Sequence, residues 1–306
     1  MPRKLRIGTD CSGIEAPIEA LKQLKIPHIH VFSSEIDKYC IQSIKANHSP
    51  KILFGDPDGP YKDGDIRNRD NTILPDIDLY VCGFPCQPFS SAGKRKGSKD
   101  KRGNVFWGCY EVIIEIQPKY FILENVKGIL TSNNGDDWDI IYNALKDLEE
   151  LGYQIEWKVL NTKDYGIPQN RERLYIVGTK GKMFIWPNVI KNKPLEKFID
   201  YKANYIEEPY KSRKPYLRDM KKQIFVDLGF VTKTKYVNAD KLAPCIMAKP
   251  TYWCVRMNRY ATVKEMFSLQ GFKKIVQVVS NSQMKKQIGN SMSVNVLKSI
   301  YKNLIK

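Results

Sequence analysis

The chain is poor in the residues that build metal sites and disulfide frameworks. It has only three histidines (His28, His30, His48), and its seven cysteines are odd in number with no C-x-x-C pair. No zinc or other metal is therefore expected, and a reducing, intracellular setting is. No long uncharged apolar run occurs and the N-terminus has no apolar leader pattern, so neither a membrane span nor a signal peptide is expected. Internal repeats and low-complexity tails are missing too. Acidic residues are outnumbered, 33 against 50 basic, for a net charge of +17 over 306 residues. That length allows one large or two ordinary domains with a full core.

The charge is unevenly placed. Residues 93–102 read GKRKGSKDKR, six basic against Asp100, and residues 191–259 hold 16 basic and 7 acidic, so the two stretches carry 14 of the 17 net charges. A lysine-rich surface would spread its charge. Concentration into two zones points to a polyanion such as nucleic acid.

The most informative stretch is Val81-Cys82-Gly83-Phe84-Pro85-Cys86-Gln87-Pro88-Phe89-Ser90. An apolar run over 77–81 stops at Gly83, and Pro85 and Pro88 fix the backbone around Cys86. Most free cysteines are small core hydrophobes. A core thiol does not need this stiff turn at a strand end, which makes Cys86 a candidate nucleophile.

Taken in order, residues 5–11 predict a strand, Ser12-Gly13 a turn, and 14–24 a helix by apolar spacing, the entry to a Rossmann-like unit. A single glycine there is weak evidence. Residues 30–34 predict a second strand ending at Glu35-Ile36-Asp37. Glu35 is placed to accept from both hydroxyls of a ribose, while Asp37 suits a helix N-terminus. Among Asp56, Asp58, Asp63 and Asp65 most read as turn formers; Asp65-Ile66 sits nearest a strand-like piece. The Gly-, Ser- and Lys-rich stretch 91–104 reads as a long functional loop suited to closing over phosphate. A helix over 105–116 and a buried strand over 120–123 follow, the strand ending in Glu124-Asn125-Val126. Glu124 is an ordinary ion-pair residue or a carboxyl held half-buried for chemistry. A helix over 138–151 precedes a strand pair, 153–160 and 174–178, whose connection carries Arg171 and Arg173 on one face; these are surface ion pairs or reach a substrate edge. Beyond 187 the pattern weakens, with short β-prone pieces at 224–226 and 235–237. Helical spacing resumes over 262–269, 287–291 reads as a turn, and 294–304 as a closing helix.

Four segments in this order, Gly83-Phe84-Pro85-Cys86-Gln87-Pro88-Phe89-Ser90, Glu124-Asn125-Val126, Gln169-Asn170-Arg171-Glu172-Arg173 and Gln287-Ile288-Gly289-Asn290-Ser291, closely resemble the cytosine-C5 DNA methyltransferase family. The likeness runs over about 5–181 and again from 262 to the end. Where that family has Phe-x-Gly-x-Gly-Gly, this chain has Cys11-Ser12-Gly13-Ile14-Glu15-Ala16. The resemblance implies an α/β, Rossmann-like, S-adenosylmethionine-dependent methyltransferase domain with a mixed, mostly parallel sheet (1–186 with 260–306). A small target-recognition domain (187–259) would be inserted in it.

It further implies that Cys86 attacks carbon 6 of a flipped-out cytosine, that Glu124 shares a proton with ring N3, and that Arg173 holds O2 with Arg171 in support. Cys11, Gly13, Ile14, Glu35, Ile36, Asp65, Ile66, Gly83, Pro85, Val105, Asn290 and Ser291 would form the cofactor site. Gln87, Ser90, Lys94, Arg95, Lys96, Arg102, Arg256 and Arg259 would contact double-stranded DNA, with a monomer as the expected state. The same chemistry serves a tRNA-methylating branch, and a DNA-binding homologue without turnover is a further alternative; a Rossmann oxidoreductase leaves the Pro85-Cys86-Gln87-Pro88 turn unexplained. The DNA sequence recognised, and a role in restriction, self-marking or regulation, stay open at this point.

Overall fold

The computed structural model describes residues 3–85, 105–203, 205–209, 217, 220, 222–229, 241–249 and 251–305. Seven strands form the main sheet: β1 (Leu5–Asp10), β2 (His28–Ser34), β3 (Ile52–Phe54), β4 (Leu79–Cys82), β5 (Tyr120–Val126), β6 (Tyr153–Asn161) and β7 (Glu172–Lys180). Their order is β3-β2-β1-β4-β5-β7-β6. β1 runs parallel to β2 and β4, and β4 to β5, while β7 is antiparallel to both its neighbours. The mixed, mostly parallel α/β architecture is the one the sequence predicts.

Alternation along the strands splits the core into two layers. Ile7, Leu79, Val81, Ile122 and Val177 face one layer, and Tyr80, Cys82, Phe121, Leu123 and Ile176 the other. The first layer is covered by α1 (Ala16–Leu24) and by three C-terminal helices. The second is covered by α3 (Val105–Ile116) and α4 (Asp136–Asp147), while α2 (Lys38–Asn47) links β2 to β3. The C-terminal helices are α5 (Val263–Gln270), α6 (Asn281–Asn290) and α7 (Val294–Leu304). α7 lies against α1, so the two ends of the chain close one core.

The chain builds β1, β2 and β3 to one side, then crosses to place β4 on the other flank of β1. In such sheets ligands bind where strand order reverses, outside the carboxyl ends of the strands. Here that is the edge marked by Asp10, Ser34, Cys82 and Val126.

A second sheet, β8 (Phe225–Asp227), β9 (Tyr252–Cys254) and β10 (Arg259–Tyr260), is antiparallel. Phe225, Tyr252 and Cys254 join the first core layer, while Val226, Leu228 and Trp253 form a small cluster on the opposite face. The β-prone piece at 235–237 lies outside the described residues. One element differs from the sequence reading: residues 287–290 are the last turn of α6, not a free turn. Its exposed face is polar, and only Met284, Gln287, Ile288 and Gly289 are buried, too little to show an apolar period.

Candidate active site

A cavity of about 470 Å³ opens at the switch-point edge. The loops after four strands meet there: Cys11 and Gly13 after β1, Glu35 and Ile36 after β2, Gly83 and Pro85 after β4, and Glu124 at the end of β5. Asp65, Ile66, Val105, Arg171, Arg173 and Asn290 complete its wall. Residues separated by up to 279 positions in sequence thus share one pocket, and the carboxyl and guanidinium groups singled out above line the same space as the cofactor candidates. Ser291 lines a smaller adjoining recess.

The Gly83–Pro85 turn is fastened to β5: Asn125 Nδ2 donates to the Phe84 carbonyl at 3.0 Å. Glu124, next to it, is buried, 8% exposed. Burial raises its pKa above the ordinary carboxylate value, with Arg173 and Arg171 pulling the other way. Its Oε1 lies 3.4 Å from Arg173 Nε but has no hydrogen-bond partner among the described residues, leaving it available to a bound molecule.

Arg171 has a different job. Its NH1 donates to the Ile246 carbonyl at 2.8 Å, and its NH2 to the Ser291 and Gly289 carbonyls at 2.7 and 3.2 Å. It is buried and ties the start of β7 to residue 246 and to the end of α6. Arg171 therefore positions the pocket wall. Gln169 reinforces the same junction, donating to the Leu269 carbonyl and accepting from Ile246 N.

On the opposite wall Gly13 has φ +56°, and the space beside its Cα is open. Its N–H donates to Glu35 Oε2 at 2.7 Å, while Ile36 N and Asp37 N both donate to Oε1 at 2.9 Å. A carboxylate has about four acceptor sites, so Glu35 keeps one, not the two needed to take both hydroxyls of a ribose. Asp65 is held in a fork by Arg67, which lowers its pKa. Asp37 caps α2, Asp63 accepts from Asp65 N, and Asp56 and Asp58 hold Lys45, as turn and cap residues do.

Ile14 does not reach the cavity. It is 2% exposed within the core, because the loop turns inward at Glu15 to enter α1. Glu15 is fully buried at φ +61°, a backbone setting that favours glycine, and its carboxylate accepts from Thr9 and Ser33 hydroxyls, both at 2.6 Å. Hydrogen bonds to a charged group offset the strained backbone. At the carboxyl end of β1, Asp10 is clamped by Arg69 through two bonds of 2.8 and 2.7 Å and by Tyr80. That buried pair pins the loop before β4 under the pocket.

The sequence scores as C-5 cytosine-specific DNA methylase over residues 10–244 and 211–306. It is 36% identical over 288 residues to the type II methyltransferase M.NgoBI of Neisseria gonorrhoeae, covering 89% of this chain and 85% of that one. It is 35% identical to M.HaeII of Haemophilus aegyptius, covering 90% and 86%. The chain belongs to the C-5 cytosine-specific DNA methylase family. Its fold is also that of the DNMT2 structure from Spodoptera frugiperda (TM-score 0.68, 19% identity, 99% and 100% covered).

For this family member two expected DNA contacts separate. Arg256 is exposed, as a contact requires. Arg259 is fully buried, and NH1 and NH2 pair with Glu265 at 2.9 and 2.8 Å, so it cannot reach DNA. The sequence held the signal: Thr262-Val263-Lys264-Glu265 is a capping box, with Glu265 bonded back to Thr262 N. Cys86, Gln87, Ser90, Lys94, Arg95, Lys96 and Arg102 lie outside the described residues, as does the whole of the expected closing loop, 91–104. Asn125 and Gln169, which hold the pocket walls, stand inside quoted motifs but carry no chemistry that sequence alone would single out. Among the described residues no group of three or more metal-ligating side chains occurs, and no helix is long and apolar enough to cross a membrane.

Proposed function

We propose that the cavity methylates carbon 5 of cytosine in double-stranded DNA, with S-adenosylmethionine as the methyl donor. The observation that carries this is Glu124: a buried carboxyl whose Oε1 is ion-paired with Arg173 yet accepts no hydrogen bond among the described residues, in the cavity whose wall includes Arg171 and Pro85, the residue before Cys86.

The pocket residues suit that cofactor. Ile66 and Val105 offer apolar contact to an adenine, the last acceptor site of Glu35 suits one ribose hydroxyl, and the open backbone at Gly13 suits the methionine end. Cys11, Ile36, Asp65, Gly83, Pro85 and Asn290 would complete the enclosure, with Ser291 shaping the adjoining recess. Bound there, the sulfonium supplies an electrophilic methyl group.

The chain's own residues supply the rest. The Cys86 thiolate adds to carbon 6 of the flipped cytosine, making carbon 5 nucleophilic. Negative charge reaches the ring, and a protonated Glu124 offsets it at N3. Arg173, anchored through Glu172 O, faces O2, while Arg171 keeps that strand start in place. After transfer, loss of the carbon 5 proton to a base expels Cys86 as thiolate. Gln87, Ser90, Lys94, Arg95, Lys96, Arg102 and the exposed Arg256 would contact the duplex, with residues 187–259 as the target-recognition region. Arg259 and Ile14 play no part at those interfaces.

The test is transfer of labelled methyl from S-adenosylmethionine to duplex DNA and, in parallel, to tRNA, with bisulfite sequencing of the duplex product. Duplex labelling at cytosine carbon 5 is expected, and its loss in Cys86→Ser with DNA binding retained. Near-normal turnover by Cys86→Ser would remove the nucleophile, and labelling of tRNA alone would overturn the substrate.

A further inference from the structure

A second concave site, of about 670 Å³, has its own lining. Its walls are the first turns of α5 and α6, the loop 272–277 and Tyr205. The loop is fixed at the far end of α2, where Asn47 Nδ2 donates to the Val276 carbonyl at 2.9 Å and Asn47 Oδ1 accepts from Val276 N at 2.6 Å. α6 spans the molecule between the two sites: Asn281 and Lys285 line this groove, and Asn290 lines the catalytic cavity. Asn281 and Asn290, at its two ends, are nine residues or roughly 13 Å apart, at about 1.5 Å each.

The groove has a distinct chemistry. Lys264, Lys273, Lys274 and Lys285 line it. Lys264 pairs with Asp200 at 3.1 Å, and Lys285 is half-buried, its pKa lowered by burial with Glu207 and Glu265 opposing. Glu265 is committed to Arg259 and the α5 cap, and Glu207 accepts from Tyr260 N. Lys273 and Lys274 are exposed and make no ion pair among the described residues. Tyr205, half exposed, stands at the rim with the Arg259 guanidinium 5.6 Å from its ring centroid. Because Arg259 is locked by Glu265, it holds that ring in place as a platform. Phe267 and Phe272 contribute apolar floor.

We propose that this groove is a second binding site, for a nucleotide that presents a phosphate and an unstacked base. A positive groove with an aromatic platform is how the nucleotides of single strands are held without sequence preference. The volume falls within the range of ligand pockets. An extended peptide would want a strand edge to pair with; the described lining comes from helices, a loop and one tyrosine. The same chemistry is presented by a free mononucleotide and by a nucleotide within a single strand.

Photo-crosslinking with peptide mapping separates these. The probes are 5-iodo-2′-deoxyuridine 5′-monophosphate and a 12-nucleotide single strand carrying one 5-iodouracil, added to the full chain. Adducts are expected at Tyr205, Phe267 or Phe272. The exposed double variant Lys273→Glu/Lys274→Glu should lower their yield about tenfold while methyl transfer to a short duplex stays within about twofold of wild type, surface charges remote from the reacting atoms contributing little. Labelling by the mononucleotide identifies a free nucleotide as ligand; labelling by the strand alone identifies single-stranded nucleic acid. Adducts confined to the catalytic cavity, or groove adducts unchanged in the double variant, would overturn the proposal. So would silence from both probes, including the case where a glutamate-rich peptide protects the groove from hydrogen exchange.

Discussion

Glu124 illustrates how one buried group sets both chemistry and pH response. Burial shifts the carboxyl toward its protonated form relative to the unfolded chain, against the pull of Arg173 and Arg171. Its contribution to stability is complete below the unfolded value of about 4.3 and is lost as pH rises through the raised folded value. Turnover that needs the proton should fall over the same upper window. Glu124→Gln is expected to cut kcat at least 100-fold, about 3 kcal/mol, to flatten that fall in thermal stability as pH rises, and to leave the protein folded. Circular dichroism melts and single-turnover rates across pH check all three, and a variant that merely unfolds would return Glu124 to a structural role. Glu124 and Arg173 were legible in the sequence because carboxyl and guanidinium chemistry stood at predicted strand ends. Ile14 and Arg259 misled for one reason: burial depends on partners. Glu15 turns Ile14 into the core, and Glu265 takes the whole outer face of Arg259.

At the level of elements, the pocket depends on how closely α6 and residues 246–248 approach. A Cβ on Gly289 would stand 2.2 Å from the Met247 carbonyl oxygen and 2.3 Å from its carbon. Backbone cannot yield as a side-chain tip can, so Gly289→Ala must displace α6, taking Asn290 and the carbonyls that Arg171 holds. The expected cost is about 1–3 kcal/mol of stability, with weaker S-adenosylmethionine binding. Urea denaturation and calorimetric titration read the two; unchanged values for both would show that α6 does not set the cofactor wall. Strands β1, β2, β4, β5, β6 and β7 were visible as apolar runs between turn residues, and α1, α3, α4, α5 and α7 by their spacing. α6 was not, since its buried face includes Gln287, whose amide accepts from Ser43 across the core.

The molecule as a whole arranges sequence-distant segments around one sheet edge. Its α/β class and closing C-terminal helix were readable from the order of the motifs. The three-stranded sheet was only partly so: its strands are two or three residues long, and Phe225 and Tyr252 pack into the core of the large sheet instead of their own. That shared core fixes residues 243–246 against Gln169 and Arg171, coupling the small sheet to the pocket. The most direct measurement is covalent trapping on duplex DNA containing 5-fluorocytosine, where the carbon 5 fluorine blocks release of the attacking sulfur. In the presence of S-adenosylmethionine, a denaturation-stable protein–DNA adduct mapping to Cys86 is the expected result. Methylation of ordinary duplex by a chain that forms no such adduct, or an adduct through another residue, would contradict it.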